Sequence, residues 1–366
     1  MNANPLERIQ VKGFKSIREL DLRLRDLNVF IGPNGAGKSN LIAVFHLLER
    51  IVNGGLQVYV GQAGGAESLL YLGRKTTSQI EIALEFGTNA YHCTLVPTAE
   101  DSLIFETEEC SFHDRAHYSR PFSTSLGRGH KESLLHEAPK SAEHPAIADD
   151  VLASMRRWRV YHFHDTSASA KARATGDLED NAILRDDASN LAAFLYLLRQ
   201  TRPAYYEQIV DTVRQAAPFF DDFDLQPSRL NPDKIRLEWR QRGTDTYFGP
   251  HALSDGTLRF ICLATVLLAP DPPAMILIDE PELGLHPYAI TLLAALLRSA
   301  AQRTRVLVCT QSVTLVNQLT LDDIVVVDRQ GQESVFTRPD AQALAAWLQE
   351  YGVGDLWEKN LLGGRP

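Results

Sequence analysis

The sequence is poor in cysteine. Its 366 residues include four, Cys93, Cys110, Cys262 and Cys309. No two stand three apart, so the CxxC pairs of structural zinc sites and dithiol redox centres are absent. Cys262 and Cys309 lie in apolar runs, where cysteine acts as a small hydrophobe in a reducing compartment. A long apolar run is also missing. The longest, Ile261 to Ala269, is closed by PDPP and falls far short of the roughly 20 residues that cross a bilayer. No membrane role is expected. The opening MNANPLERIQ has no apolar signal segment, so a cytoplasmic location is expected. Positive charge is scarce too: 37 Lys and Arg face 46 Asp and Glu, a net charge of −9. That argues against non-specific nucleic-acid binding over the whole surface but leaves local basic patches open. Internal repeats and sustained heptads are lacking.

What is present is apolar content of 44% with 23% charged residues, the balance of a folded chain. The length suggests two lobes, or one large domain with an insertion. ERIQVKGF and IRELDLRLRD alternate as half-buried strands do, and LNVFI (27–31) reads as a strand covered on both faces. A glycine loop and then a helical pattern follow. QIEIALEF and YHCTLV read as a hairpin that SLIFETEECSF extends. Residues 113–150 read as an exposed loop-and-helix insertion. WRVYHF reads as a strand, 164–177 as a loop, and 188–217 as helical. IRLEWR and TDTYF read as a second hairpin. From 251 onwards helices alternate with strands at 274–278, 305–309 and 323–327, the pattern of a parallel sheet with crossover helices. The expected division is an N-terminal lobe (1–112), an insertion (113–250), a C-terminal lobe (251–330) and a tail (331–366).

Three motifs carry chemistry. Gly32-Pro33-Asn34-Gly35-Ala36-Gly37-Lys38-Ser39, followed by Asn40, fits GxxxxGK(S/T) between a strand and a helix. Glycines let the backbone wrap an anion, successive N–H groups point inward, and the helix N-terminus adds partial positive charge. Lys38 supplies a cation for β and γ phosphates, and Ser39 a magnesium ligand. In AMILIDEPELGLHP a buried strand ends in Asp279 and Glu280, at the strand end where ligands gather in parallel sheets. One carboxylate can hold magnesium through water and the other can act as general base. In HALSDGTLRF, Ser254, Asp255 and Gly256 open an apolar helix. Such residues are ordinary helix caps, and the same free N–H groups bind phosphate.

In this order the three motifs resemble the ATP-binding-cassette class of ATPases, and within it the RecF, SMC and OLD-like group of AAA-family proteins. GKSN and DEPELGLHP point to that branch rather than to transporters. The resemblance implies an α/β P-loop NTPase fold with a mostly parallel sheet, an antiparallel β subdomain and a helical insertion. It implies ATP and Mg2+ as cofactors and a head-to-tail homodimer with ATP between the loop of one copy and the LSDGT helix start of the other. Carried over, Gly32, Asn34, Gly35, Ala36, Gly37, Lys38, Ser39 and Asn40 hold the nucleotide. Ser39 and Asp279 hold the metal, Glu280 is the catalytic base, and Ser254, Asp255 and Gly256 serve the partner's nucleotide. The resemblance departs at VLVCTQS, where Gln311 stands in place of a γ-phosphate-contacting histidine. An amide can donate a hydrogen bond but cannot titrate. Hydrolysis is therefore expected to be slow, and binding without turnover stays open. The γ-phosphate-sensing role falls by position to the loop of His164 and Asp165. No TOPRIM nuclease domain fits, so the implied partners are a separately encoded effector, nuclease or toxin, or DNA, in DNA repair or phage defence. Two other stretches read as bland: MRRWRV as a charged helix end leading into a strand rather than a nucleic-acid grip, and DDFD (221–224) as a solvated acidic turn.

Overall fold

LNVFI forms strand β3 (Leu27–Ile31), and every one of its residues is buried. The computed structural model describes residues 4–136 and 145–365. The other strands are β1 (Arg8–Phe14), β2 (Ile17–Arg23), β4 (Ile80–Phe86), β5 (Asn89–Pro97), β6 (Leu103–Phe112), β7 (Phe122–Gly127), β8 (Trp158–Tyr161), β9 (Gly176–Asp177), β10 (Phe220–Asp224), β11 (Lys234–Ile235), β12 (Glu238–Gln241), β13 (Tyr247–Phe248), β14 (Met275–Asp279), β15 (Arg305–Thr310), β16 (Ile324–Gln330) and β17 (Glu333–Thr337).

Two six-stranded sheets organise the chain. One runs β17-β16-β3-β15-β14-β8 and is parallel except for its β17 edge. The other is the antiparallel series β2-β1-β4-β5-β6-β7. The parallel strands are apolar on both faces because each face meets its own core. Val29, Ile31, Ile276, Ile278, Val306 and Val308 face a core shared with the helices Leu191–Thr201, Pro203–Ala216, Asp255–Leu268 and Pro287–Ala301. Phe30, Met275, Leu277, Leu307 and Cys309 face the other, shared with the helix Lys38–Val52 and the antiparallel sheet.

Three local expectations change. Residues 113–150 are not only loop and helix, since β7 extends the antiparallel sheet and Pro145–Arg156 is helical. Residues 137–144 of that stretch lie outside the described residues. DDFD is strand β10 rather than a free turn: Phe220 and Phe223 are buried, and Asp222 accepts the Tyr206 hydroxyl at 2.7 Å. The tail is structured, with β17 on the sheet and Trp357 fully buried.

Strand register decides what converges. Asp279 pairs with Cys309, Cys309 with Phe30, and Thr310 with Ile31. At roughly 4.8 Å per strand, the residues that follow, Gly32, Gln311 and Glu280, emerge side by side at the carboxyl ends.

Candidate active site

The loop after β3 turns through Gly35 (φ 79°) and Gly37 (φ 119°). Gly37 admits no side chain, because a Cβ there would lie 2.0 Å from Ser334 Oγ. The helix Lys38–Val52 starts immediately, with no side chain capping its first N–H groups, and such groups seek an anion. Ala36 is buried, while Asn34, Gly35 and Ser39 are exposed at the loop surface. Asn40 donates to Ser16 Oγ at 2.6 Å, and Ser16 bonds Ser334 at 2.6 Å. Its side chain therefore tethers the helix start to the β1–β2 turn and to β17. The tail also closes here: a Cβ on Gly364 would lie 3.7 Å from Gly32 Cα.

Lys38 is 6% exposed, and its ammonium donates to Gly32 O at 2.5 Å and Pro33 O at 3.3 Å. Burial holds its pKa below the ordinary value, opposed by the carboxylates of Glu280, Asp279 and Glu282. Neutral carbonyls compensate a buried cation poorly, so the position fits a phosphate anion.

Asp279 ends β14, with Oδ2 3.7 Å from His164 Nε2. Glu280 takes a left-handed backbone (φ 39°), its N–H donating to Cys309 O at 2.8 Å. Its carboxylate accepts the Gln311 side-chain amide at 2.8 Å and the Gln311 N–H at 3.1 Å. Gln311 thus aims Glu280. His162 and His164, two residues apart on the chain, do not form a metal ligand set among the described residues. His162 Nε2 lies 2.9 Å from His46 Nε2, and among the described residues no three His, Cys, Asp or Glu side chains gather to hold a metal.

A third carboxylate was not singled out from the sequence. Glu282 is buried, its Oε1 accepting Thr310 Oγ1 at 2.5 Å while Oε2 has no partner among the described residues. Burial, with Glu280 adding to it, pushes its pKa up to about 8 from 4.5. The folded chain then holds a proton that the unfolded chain releases, so stability falls as pH rises through that window. Glu282→Gln keeps an acceptor for Thr310 and removes the titration. We expect it to flatten the loss of stability between about pH 5 and 8 by on the order of 1–3 kcal/mol. Denaturant unfolding at both pH values checks this, and equal slopes in the two proteins would rule it out.

Ser254 caps the helix Asp255–Leu268, its Oγ accepting the Thr257 N–H at 3.2 Å. Gly256 is obligatory because a Cβ would lie 2.2 Å from Gly284 O. None of Ser254, Asp255 and Gly256 bonds residues 32–40 among the described residues. Two buried arginines, also missed, connect this motif to the strand ends. Arg173 pairs with Asp255 at 2.8 Å and donates to Thr166 O at 3.0 Å. Arg259 donates to Phe163 O at 2.8 Å, to His164 O at 2.9 Å and to Leu283 O. An arginine on an apolar helix face, as in TLRFICLA, was the only signal available.

A family model described as "AAA domain, putative AbiEii toxin, Type IV TA system" matches residues 27–317. That span runs from β3 past Gln311 and takes in all three motifs. The chain belongs to this AAA family. No curated protein matches the AAA chain. It is similar to an SMC head bound to the C-winged helix domain of ScpA, at 15% identity and TM-score 0.61 over 93% of this chain and 99% of that one. It is also similar to the SMC head with an extended coiled coil bound to the C-terminal domain of ScpA from Pyrococcus furiosus, at 16% identity and TM-score 0.54 over 94% and 99%. A third similarity is to the SMC head with a coiled coil and joint from Pyrococcus yayanosii, at 13% identity and TM-score 0.50 over 94% and 99%. At such identities the likeness is one of fold. The expected P-loop NTPase fold is the observed one, shared with the SMC heads. Among the described residues no helix is long and apolar enough to cross a membrane.

Proposed function

We propose that the chain binds ATP with magnesium and hydrolyses it slowly within a head-to-tail dimer, using the cycle to switch a separately encoded effector. One observation carries this reading: Lys38, a buried cation served only by loop carbonyls, shares its surroundings with Glu280 and Asp279 across adjacent strand ends. The loop amides and Lys38 would bind the β and γ phosphates. Ser39 and Asp279 are the hard oxygen donors that suit magnesium, which would neutralise charge on the phosphate oxygens. Glu280 would take the proton from the attacking water. Gln311 orients Glu280 by two hydrogen bonds and carries no proton of its own.

Among the described residues Ser254 and Gly256 make no hydrogen bond to their own chain's glycine loop, which supports their service to a second copy. Ser254→Arg tests the dimer. We expect ATP binding to persist and the ATP-dependent dimer, read by sedimentation with ATP and Mg2+, to be lost; a dimer that forms normally would reject the sandwich. The solved SMC heads are bound to parts of ScpA, and the family description names a toxin system; both support a protein effector. A clamp acting directly on DNA is the rival reading, and strong stimulation of phosphate release by duplex DNA alone would favour it.

A further inference from the structure

Strand β8 is the open edge of the parallel sheet, with no strand beyond it among the described residues. Arg157 O accepts the Ala274 N–H at 2.9 Å. An extended chain alternates, so Trp158 and Val160 turn their main-chain groups to the open side. There the Arg159 guanidinium meets Trp158 O at 2.6 Å and Asp186 O meets the His162 N–H at 3.0 Å. Val160, between them, has no strand partner for its N–H and C=O on this side among the described residues.

A cavity flanks this edge on each face of the sheet. One, of about 450 Å³, is floored by Phe194, Leu198 and Val266 and rimmed by Arg157, Arg159 and Arg202. The other, of about 410 Å³, is lined by Phe45 and Trp158 with Arg156 and Arg159 at its side. Among the described residues the hydrogen bonds of these arginines go to neutral groups: Arg156 to His136, Arg157 to Pro272 O, and Arg159 to Arg156 O and Trp158 O. Arg202 is exposed. Among the described residues only Asp271 lines the first cavity as an acid, and only Glu49 the second. A chain of net charge −9 thus gathers arginines around one apolar hollow, one of mixed lining, and a strand edge that no strand covers among the described residues.

We infer that this edge docks an extended acidic segment of a partner protein, which pairs with Val160, places a large apolar side chain in the cavity under Phe194, and lays carboxylates on Arg157 and Arg202. Strand addition supplies main-chain hydrogen bonds, and hollows on alternate faces read alternate side chains. The main-chain groups favour a peptide over an acyl chain, and the apolar floor favours it over a phosphate backbone. The site sits at the amino ends of the strands, opposite the glycine loop, so its failure leaves the ATPase reading untouched.

Panning a displayed library of random dodecapeptides on the full-length chain tests this. We expect enriched peptides to place Asp or Glu beside Leu, Ile or Phe. A fluorescein-labelled winner should lose about tenfold or more in affinity when Arg157→Glu and Arg202→Glu reverse the charge. Ala182→Trp, at an exposed lining position, should block the cavity and the binding while thermal melting stays unchanged. No enrichment, winners without acids, or affinity indifferent to both variants would overturn the proposal. So would displacement of the peptide by dodecanoate or by a short DNA duplex at lower concentration than by unlabelled peptide.

Discussion

Lys38→Ala should lower ATP affinity by about a hundredfold or more. A charge-assisted hydrogen bond is worth about 1.5–3 kcal/mol, and each 1.4 kcal/mol is tenfold in affinity. Lys38 is in a position to make more than one, because among the described residues its buried ammonium is held by the loop carbonyls Gly32 O and Pro33 O alone. The fold should survive, since those carbonyls face a loop whose neighbours Asn34 and Gly35 are exposed. Calorimetric titration with ATP and Mg2+ decides it, with circular dichroism confirming the fold. Undiminished affinity in a folded variant would remove the glycine loop from nucleotide binding.

Glu280→Gln acts on a different step. Removing a general base costs roughly 10²–10⁴ in rate, so phosphate release should fall by at least about a hundredfold while ATP binding persists. The amide keeps an oxygen for one of the two Gln311 donors, and the Glu280 N–H bond to Cys309 O still holds the backbone turn at φ 39°. The ATP-bound dimer should accumulate, and sedimentation with ATP and Mg2+ will show it. Phosphate release at the parent rate would take Glu280 out of the chemistry. The two substitutions should separate cleanly, because Lys38→Ala should weaken the proposed dimer along with nucleotide binding and Glu280→Gln should trap it.

The elements that carry these expectations were legible because their signals are local. An apolar run of strand length before a glycine loop states β3, and a second run before Asp279 and Glu280 states β14. Ser254 before an apolar helix states a cap, and its Oγ takes the Thr257 N–H as caps do. MRRWRV is the helix end and strand it was read to be, at Arg156 and Trp158. DDFD was misread because its one phenylalanine, Phe223, sits among three aspartates with no clean alternation, and only the packing of Phe223 with the preceding Phe220 shows a strand. The tail was opaque for a similar reason. Val353, Leu356 and Trp357 are spaced as one helical face, but the helix is only six residues long, and its burial depends on the cores already built from the rest of the chain.

By itself the sequence determined which residues could meet a phosphate and in what order the strands and helices run, because backbone freedom, capping and apolar periodicity act over a few residues. Tertiary structure decided that Gln311 holds Glu280, that Glu282 is buried beside it, that Arg173 and Arg259 bind the LSDGT helix to the strand ends, and that β8 is left open. Each of these joins groups many positions apart. Only strand order and register bring them within hydrogen-bonding reach, or leave an edge without a neighbour.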